Sequence, residues 1–227
     1  MLFKNKSIEE IQKTYKIAKK KFKENKNVQL YLKSKNYGEI ERIKLSYDVQ
    51  SGTYIKFTKS MSKKKKEKVY LPLIKVIEAE FPNIKSILDF GCGELDTSLF
   101  VFNNLKYKIK KYFACDLSLN RLVVGQKFIK KELKKKEFNK INIFCNSDFN
   151  LPFKDNSLDL IITIHSLESN NRNKELFIKE LIRVSKKGII LMEPHYEIST
   201  KKQKKRMNKF NYIKGLERIF KKNRYKY

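Results

Sequence analysis

The decapeptide SILDFGCGEL, Ser86–Leu95, decides the fold class of this chain. Three apolar residues and Asp89 lead into two glycines, Gly91 and Gly93, which are separated by one cysteine. Glycines let a backbone turn sharply and approach a ligand closely, because they carry no side chain. A strand that ends in such a turn and precedes a helix predicts a ligand site at the carboxyl end of the strand.

From Ser86 onward, short apolar runs alternate with stretches of helical periodicity. We predict five strands, with the sequences SILDF, KYFACD, INIFCNSD, LDLIITIHSL and GIILMEP. Fully apolar strands that alternate with helices predict a parallel sheet with helices on both faces. The expected fold is α/β, a Rossmann-like doubly wound and mainly parallel sheet in the order 3-2-1-4-5, with an N-terminal helical region.

The sequence also predicts helices on both sides of this sheet. Ser7–Glu10 fits a capping box and precedes apolar residues at helical spacing. We divide the chain into an N-terminal helical lid or substrate region at 1–80, a sheet domain at 81–198 and a basic helical tail at 199–227. The apolar side chains of the tail are expected to pack near the fifth strand, and they are Met207, Phe210, Tyr212, Ile213, Leu216, Ile219 and Phe220.

The formal net charge of +29 rests on lysine. Of the 53 basic residues only seven are arginine, so 46 are lysine. Lysine, asparagine and isoleucine share A/T-rich codons, so genome composition accounts for much of this charge. Because nucleic-acid sites favour arginine for bidentate contacts, we expect mainly solvated lysines. A nucleic-acid partner is the less favoured alternative.

Other features exclude several classes of protein. No run approaches the roughly 20 apolar residues of a membrane span, and the first ten residues lack the apolar core of a secretory signal. Cys92, Cys115 and Cys145 form neither a disulfide framework nor a C-x-x-C pair, and two histidines without clustered thiols predict no metal site. We expect a reduced, cytoplasmic protein; its oligomeric state stays open.

Polar or small residues lie at the carboxyl end of every predicted strand. They are Gly91–Cys92–Gly93, Asp116, Asp148, His165 with Glu168, and Glu193–Pro194–His195. Because the carboxyl ends of parallel strands meet at one edge of the sheet, these residues predict a single site.

The glycine turn is acidic, which restricts the ligand. In the dinucleotide fingerprint G-x-G-x-x-G, Asp96 occupies the last position, where a carboxylate repels pyrophosphate. This argues against NAD, FAD and ATP. S-adenosylmethionine carries no phosphate, and Asp89 or Glu94 would favour its sulfonium and ammonium groups.

Two further acids fit this ligand. Asp116 lies 23 residues beyond Gly93, near the spacing at which an acid binds ribose hydroxyls. The alternative is that Asp116 is the N-cap of the helix starting near Ser118. Asp148 would accept a hydrogen bond from the adenine amino group, with Phe149 against the ring; the alternative is a turn aspartate.

The segments ILDFGCGE, YFACDLS, CNSDFNLPFKDNSLDLIITIHSLE and KKGIILMEP resemble the motifs of class I S-adenosylmethionine-dependent methyltransferases of the small-molecule type. The resemblance covers about Ser86 to Glu197. It implies S-adenosylmethionine as the cofactor. We assign the cofactor contacts to Asp89, Gly91, Cys92, Gly93, Asp116, Leu117, Asp148, Phe149 and His165.

The chain departs from this family in two places. The family often has a small residue where this chain has Leu95, so Leu95 is expected to tighten the pocket. The family also has a seven-stranded sheet whose last two strands form a hairpin, and we expect this sequence to lack those hairpin strands.

The site also needs groups that handle the methyl acceptor. His165 is the predicted catalytic base, and Glu168 lies on the same loop; the alternative is that His165 caps the strand and Glu168 positions the loop. The residues predicted to bind the acceptor are Tyr47, Tyr54, Glu193, His195 and Tyr196. For the tyrosines and His195, structural packing is the alternative.

The sequence thus predicts a methyltransferase that acts on a small molecule or a glycan precursor. An RNA-binding or RNA-modifying methyltransferase and a catalytically inactive cofactor-binding scaffold are the alternatives.

Overall fold

The computed structural model describes residues 3, 6–146, 149–169 and 171–223. The elements in chain order are α1 (Ile8–Lys23), α2 (Val28–Ser34), α3 (Glu39–Gln50), α4 (Thr53–Ser60), α5 (Lys63–Glu80), β1 (Ser86–Phe90), α6 (Asp96–Asn104), β2 (Lys111–Asp116), α7 (Leu119–Glu132), α8 (Lys135–Phe138), β3 (Ile141–Cys145), β4 (Leu158–Ile164), α9 (Lys174–Val184), β5 (Ser185–Met192), α10 (Lys201–Phe210) and α11 (Leu216–Lys222).

The five strands form one parallel sheet in the order β3-β2-β1-β4-β5, which confirms the predicted fold class and strand order. The central strands are apolar on both faces because helices cover both faces. Leu160, Ile161 and Ile162 of β4 are successive residues and all fully buried. In the described part of the chain, β5 pairs only with β4 and forms one edge of the sheet.

The glycine turn joins β1 to α6. The backbone N–H groups of Gly91 and Cys92 both donate to the carbonyl oxygen of Cys115 in β2, at 2.8 and 2.9 Å. Leu95 has a φ of +63° and lies at the N-cap of α6, where its side chain is fully buried in the core. The expectation that Leu95 tightens the pocket is therefore wrong.

The N-terminal helices divide between two cores. The capping box at Ser7 and Glu10 is present, and α1, α2 and α3 pack around Ala18, Leu32 and Leu45. In contrast, α5 packs against the sheet through Leu73, Ile74 and Ile77, with Pro72 inside the helix. Residues 63–80 therefore share the core of the sheet domain, although they lie in the segment predicted as a lid.

The tail packs beside the fifth strand, as predicted. Ile213, Ile219 and Phe220 are buried against Ile178 of α9 in a cluster that also contacts Ile189 and Leu191 of β5. Two predicted core positions differ. The side chain of Phe210 is 40% exposed, and Tyr212 lines a cleft at the carboxyl edge of the sheet.

Within the described residues, every helix is too short or too polar to cross a bilayer.

Candidate active site

Two adjoining cavities lie at the carboxyl edge of the sheet. The wide cleft has a volume of about 800 Å³ and the narrow cavity about 80 Å³. Tyr47, Gly91, Arg121 and His165 line both and so form the junction between them.

The wide cleft is lined by Tyr47, Gln50, Tyr54, Tyr70, Gly91, Cys92, Gly93, Glu94, Asp96, Thr97, Arg121, Ile164, His165, Glu168, Pro194, His195, Ile198, Ser199, Gln203, Arg206, Met207 and Tyr212. The narrow cavity is lined by Ile40, Ile43, Tyr47, Phe90, Gly91, Cys115, Asp116, Leu117, Arg121, Asn146, Phe149, His165, Ser166 and Phe177.

Most of the predicted site residues line one of these cavities. Those that do not are Asp89, Glu193 and Tyr196, and Asp148 lies outside the described residues.

Arg121 of α7 lies at the junction, although no motif or spacing in the sequence indicated it. Its guanidinium lies 5.0 Å from the ring centroid of Tyr47 and 5.2 Å from that of Tyr54, within the range of cation–π attraction. Its Nε atom is 3.9 Å from Oε1 of the buried Glu94. Arg121 thus links α7 to α3, α4 and the glycine turn.

The acids of the glycine turn hold neighbouring elements in place. Glu94 accepts hydrogen bonds from the backbone N–H groups of Gly52 and Ile55, at 2.8 and 2.9 Å, and so binds the first turn of α4. Asp96 pairs with Lys66 of α5 at 3.1 Å. Glu94, which was expected to favour a cationic ligand, and Asp96 therefore dock the N-terminal helices.

Asp89 lies beneath the turn. It is buried and accepts hydrogen bonds from the hydroxyls of Ser98, at 2.6 Å, and Tyr112, at 3.4 Å. Burial raises the pKa of Asp89 to about 6, although both hydroxyls oppose the shift. Its side chain reaches neither cavity, so the structure gives no support to a direct contact from Asp89.

Asp116 ends β2 and lines the narrow cavity. One carboxylate oxygen accepts a hydrogen bond from Gly93 N and the other from Ser118 N, both at 2.8 Å. The N-cap of α7 is Ser118, whose hydroxyl accepts from Arg121 N, so the alternative N-cap role of Asp116 is wrong. Each carboxylate oxygen has a second lone pair for another donor.

The narrow cavity is apolar around Asp116. Leu117 and Phe149 line it, and the ring of Phe149 lies 5.0 Å from that of Phe177. The combination of one carboxylate and several apolar walls suits a flat ring attached to a group with hydroxyls.

Both predicted glycines adopt positive φ angles, +76° at Gly91 and +57° at Gly93. A Cβ atom at Gly91 would lie 2.2 Å from Cβ of Ser166, and one at Gly93 would lie 2.4 Å from the guanidinium of Arg121. Glycine is required at Gly91 by both conformation and space.

His165 lies directly after β4, where its backbone N–H donates to the carbonyl oxygen of Met192 in β5. Its φ is +52°, and its Nδ1 atom lies 2.5 Å from Oε1 of Glu168. The hydrogen bond with Glu168 raises the pKa of His165, and burial opposes this shift. The pair lines the wide cleft and can hold or accept a proton there.

Glu168→Gln is expected to lower the pKa of His165, because the substitution removes the carboxylate that stabilises the imidazolium. A pKa raised on folding stabilises the protein fully below the ordinary value of 6.5, and this stabilisation is lost as the pH rises through the raised pKa. The measurement is an NMR titration of the histidine ring protons, with His195 as the reference in the same spectrum. An unchanged midpoint for His165 would contradict the pairing.

The three predicted site residues after β5, Glu193, His195 and Tyr196, contact different parts of the protein. Glu193 accepts hydrogen bonds from the backbone N–H groups of Ser166 and Leu167, at 2.9 and 3.1 Å, and so fixes the loop that follows His165. His195 lines the wide cleft. The ring of Tyr196 lies under Lys204 and Lys214, so this side chain packs on the tail.

The two N-terminal tyrosines reach the cavities. Tyr47 of α3 lines both cavities, and burial raises its pKa to about 12. Tyr54 of α4 lines the wide cleft and is half exposed.

Asp48 also escaped the sequence analysis. Its buried carboxylate accepts from the hydroxyl of Ser118 at 2.6 Å and pairs with Lys44 at 2.6 Å. This contact docks α3 beside the end of β2. Among the described residues, no group of three or more histidine, cysteine or acidic side chains has the arrangement of a metal site.

Comparison with known families bears on this site. Residues 88–192 match the family described as methyltransferase domain, and the matched segment runs from β1 to the end of β5. Residues 88–192 are a methyltransferase domain. The methyltransferase domain therefore contains the glycine turn, Asp116 and the His165–Glu168 pair.

The sequence of a known methyltransferase is also similar to this chain. Norajmaline N-methyltransferase of Rauvolfia serpentina is 31% identical over 118 residues, which is 51% of this chain but only 38% of that enzyme. The chain thus spans well under half of this curated relative.

Two solved structures share the fold. A candidate methyltransferase from Bacillus halodurans C-125 has a TM-score of 0.51 at 19% identity, with 67% of each chain covered. Geranyl diphosphate C-methyltransferase from Streptomyces coelicolor A3(2), solved with S-adenosyl-L-homocysteine, has a TM-score of 0.52 at 12% identity, with 70% of this chain and 61% of that chain covered.

Proposed function

We propose that this protein is an S-adenosylmethionine-dependent methyltransferase that acts on a small-molecule acceptor, a class that includes glycan precursors. The observation that carries the proposal is the position of Asp116 at a glycine turn, inside a methyltransferase domain and beside two adjoining cavities.

The residues present fit the cofactor. Asp116 is held by two backbone N–H groups and retains lone pairs for the ribose hydroxyls, while Leu117 and Phe149 offer apolar surface to the adenine. At about 80 Å³ the narrow cavity is smaller than the roughly 300–1,000 Å³ of typical ligand sites. Binding therefore requires side chains at the junction, Arg121 foremost, to move.

Other predicted contacts keep their place in this proposal. Gly91, Cys92 and Gly93 line the wide cleft, where their backbone would lie beside the methionyl part of the cofactor. Asp148 is proposed for the adenine amino group on sequence grounds alone.

When bound, S-adenosylmethionine supplies a methyl group already activated for transfer by its positive sulfur. The protein then has to align the acceptor and exclude water, which are the tasks of the enclosing helices. His165 would accept the proton that the acceptor loses, and Glu168 would stabilise the resulting imidazolium.

The size of the wide cleft is consistent with a small-molecule acceptor. Its volume of about 800 Å³ lies within the range of small-molecule sites, and α10 closes one side through Gln203, Arg206 and Met207. The name of the Rauvolfia relative, an N-methyltransferase of norajmaline, also supports a small acceptor.

The direct test is transfer of radiolabelled methyl groups from S-adenosylmethionine to separated fractions of a cell extract. We expect label in the small-molecule fraction, and the His165→Ala and Glu168→Gln variants should incorporate less. Label in RNA alone would favour the RNA-modifying alternative. Tight cofactor binding without label in any fraction would favour an inactive scaffold.

Asp116→Ala is expected to weaken S-adenosylhomocysteine binding by roughly 1.5–3 kcal/mol, the scale of hydrogen bonds to a charged group. The variant should also unfold more easily, because Gly93 N and Ser118 N lose their acceptor. The measurements are calorimetric titration and urea unfolding, with Asp155→Ala as a control, since Asp155 is an exposed acid paired with Arg183. Equal affinity for both variants would remove Asp116 from the cofactor site.

A further inference from the structure

The acidic and the basic side chains of the wide cleft differ in how far they are already paired within the protein. Three carboxylates line it in the described part of the chain, and each is engaged. Glu94 binds two N–H groups of α4, Asp96 pairs with Lys66, and Glu168 pairs with His165. A cationic ligand would therefore have to share each of the three with a partner that it already has.

The two arginines that line the cleft have fewer close ionic partners than the carboxylates. Arg206 of α10 lines the cleft and is exposed, and no described carboxylate lies within 4 Å of its guanidinium. The hydroxyl of Tyr212 lies near both Arg206 and Glu168. The Nε atom of Arg121 approaches Glu94 only at 3.9 Å. The side chains of the cleft that remain able to bind a charged ligand are therefore arginines, which bind anions.

Apolar side chains line the same cleft as Arg206. Met207 is buried on the same helix, and Ile198, which also lines the cleft, is 83% exposed. The ring of Tyr70 lines the cleft as well. An acceptor that covered Ile198 would bury apolar surface at the same time as its charge met Arg206.

We propose that the methyl acceptor is an anionic small molecule, with an apolar body beside Ile198 and Tyr70 and a carboxylate or phosphate group bound by Arg206. A guanidinium donates two parallel hydrogen bonds to such a group, which a lysine cannot reproduce. The positive field of a chain with a net charge of +29 would also speed the arrival of anions. This inference rests on the proposed function and assigns the acceptor specificity to the tail.

The test uses phenyl phosphate and benzoate as anionic probes and benzyl alcohol as the neutral one. Each is titrated by calorimetry into the whole protein at physiological salt, with and without S-adenosylhomocysteine. Arg206→Met is expected to weaken binding of whichever anion the wild type binds by about tenfold, and Arg206→Lys is expected to weaken it by less. The two anions distinguish a phosphate from a carboxylate site.

Arg172→Met is the matched control, because it removes the same charge from an exposed side chain outside the cleft. We expect this variant to bind the anions as the wild type does. Equal weakening by both variants would show non-specific attraction to a basic protein and overturn the proposal. The proposal would also be overturned if benzyl alcohol bound as tightly as the anions, or if neither anion bound.

A second readout separates this inference from the proposed function. Arg206→Met should bind S-adenosylhomocysteine with the affinity of the wild type, because Arg206 lies on α10, which carries none of the residues assigned to the cofactor. If the wild type does not bind S-adenosylhomocysteine, the proposed function fails. The titrations without that ligand would still decide whether Arg206 forms an anion site.

Discussion

Gly91→Ala is expected to destabilise the protein by about 2–5 kcal/mol and to abolish cofactor binding. Its φ of +76° is unfavourable for alanine, and the new Cβ would lie 2.2 Å from Cβ of Ser166. Because Ser166 Cβ is fixed to the backbone, relief requires the turn or the loop after β4 to move. Gly91 and His165 at the junction would then separate. Urea unfolding measures the loss of stability, and calorimetric titration measures the loss of affinity.

Gly215→Ala is the matched control for Gly91→Ala. Gly215 also has a positive φ, +66°, but no atom lies within 4 Å of a Cβ built there. The control should therefore lose only about 1 kcal/mol, the conformational part of the cost. Equal losses in both variants would show that the close approach of Ser166 to the turn is not important.

Phe220→Ala is expected to lower the stability by about 3–5 kcal/mol, which corresponds to a melting temperature roughly 10 °C lower. The side chain is 8% exposed and packs with Ile178, Ile213 and Ile219 in the cluster beside β5. Truncation leaves a cavity there. A thermal scan followed by circular dichroism measures the change.

Phe210→Ala removes the same side chain from the neighbouring helix, where it is 40% exposed, and should cost about 1 kcal/mol or less. Equal melting temperatures for the two variants would contradict the packing role of the tail. Removal of residues 201–227 should then aggregate the protein, since it uncovers Ile178, Ile189 and Leu191. A truncated protein with an unchanged melting curve would be a second contradiction.

The sheet was predictable because its signal is local and periodic. Each strand is a short apolar run that ends in polar residues, and the alternation of such runs with helices predicts a doubly wound parallel sheet. The same pattern located Asp116 and His165 at the carboxyl edge, since Asp116 is the last residue of β2 and His165 directly follows β4.

The roles of the acids near the turn were not predictable, because they depend on partners far away in sequence. Glu94 binds the N–H group of Gly52, which lies 42 residues earlier, and Asp96 pairs with Lys66, 30 residues earlier. Asp48 and Ser118 are separated by 70 residues. No spacing rule relates such pairs, so a carboxylate beside the turn was expected to serve a ligand.

One compositional signal for the missed residues was present. Arginine is rare in this lysine-rich chain, with seven residues in all, and two of them, Arg121 and Arg206, line the wide cleft. Where codon composition favours lysine, an arginine marks a position at which a planar, multidentate cation matters. The sequence contained that signal but not the contacts that give it meaning.

Calorimetric titration of the whole, unmodified protein with S-adenosylhomocysteine, compared with NAD under the same conditions, tests the central claim most directly. We predict one S-adenosylhomocysteine per chain and no binding of NAD, because Asp96 stands in place of the last glycine of the dinucleotide fingerprint. Absence of S-adenosylhomocysteine binding, or equal binding of NAD, would contradict it.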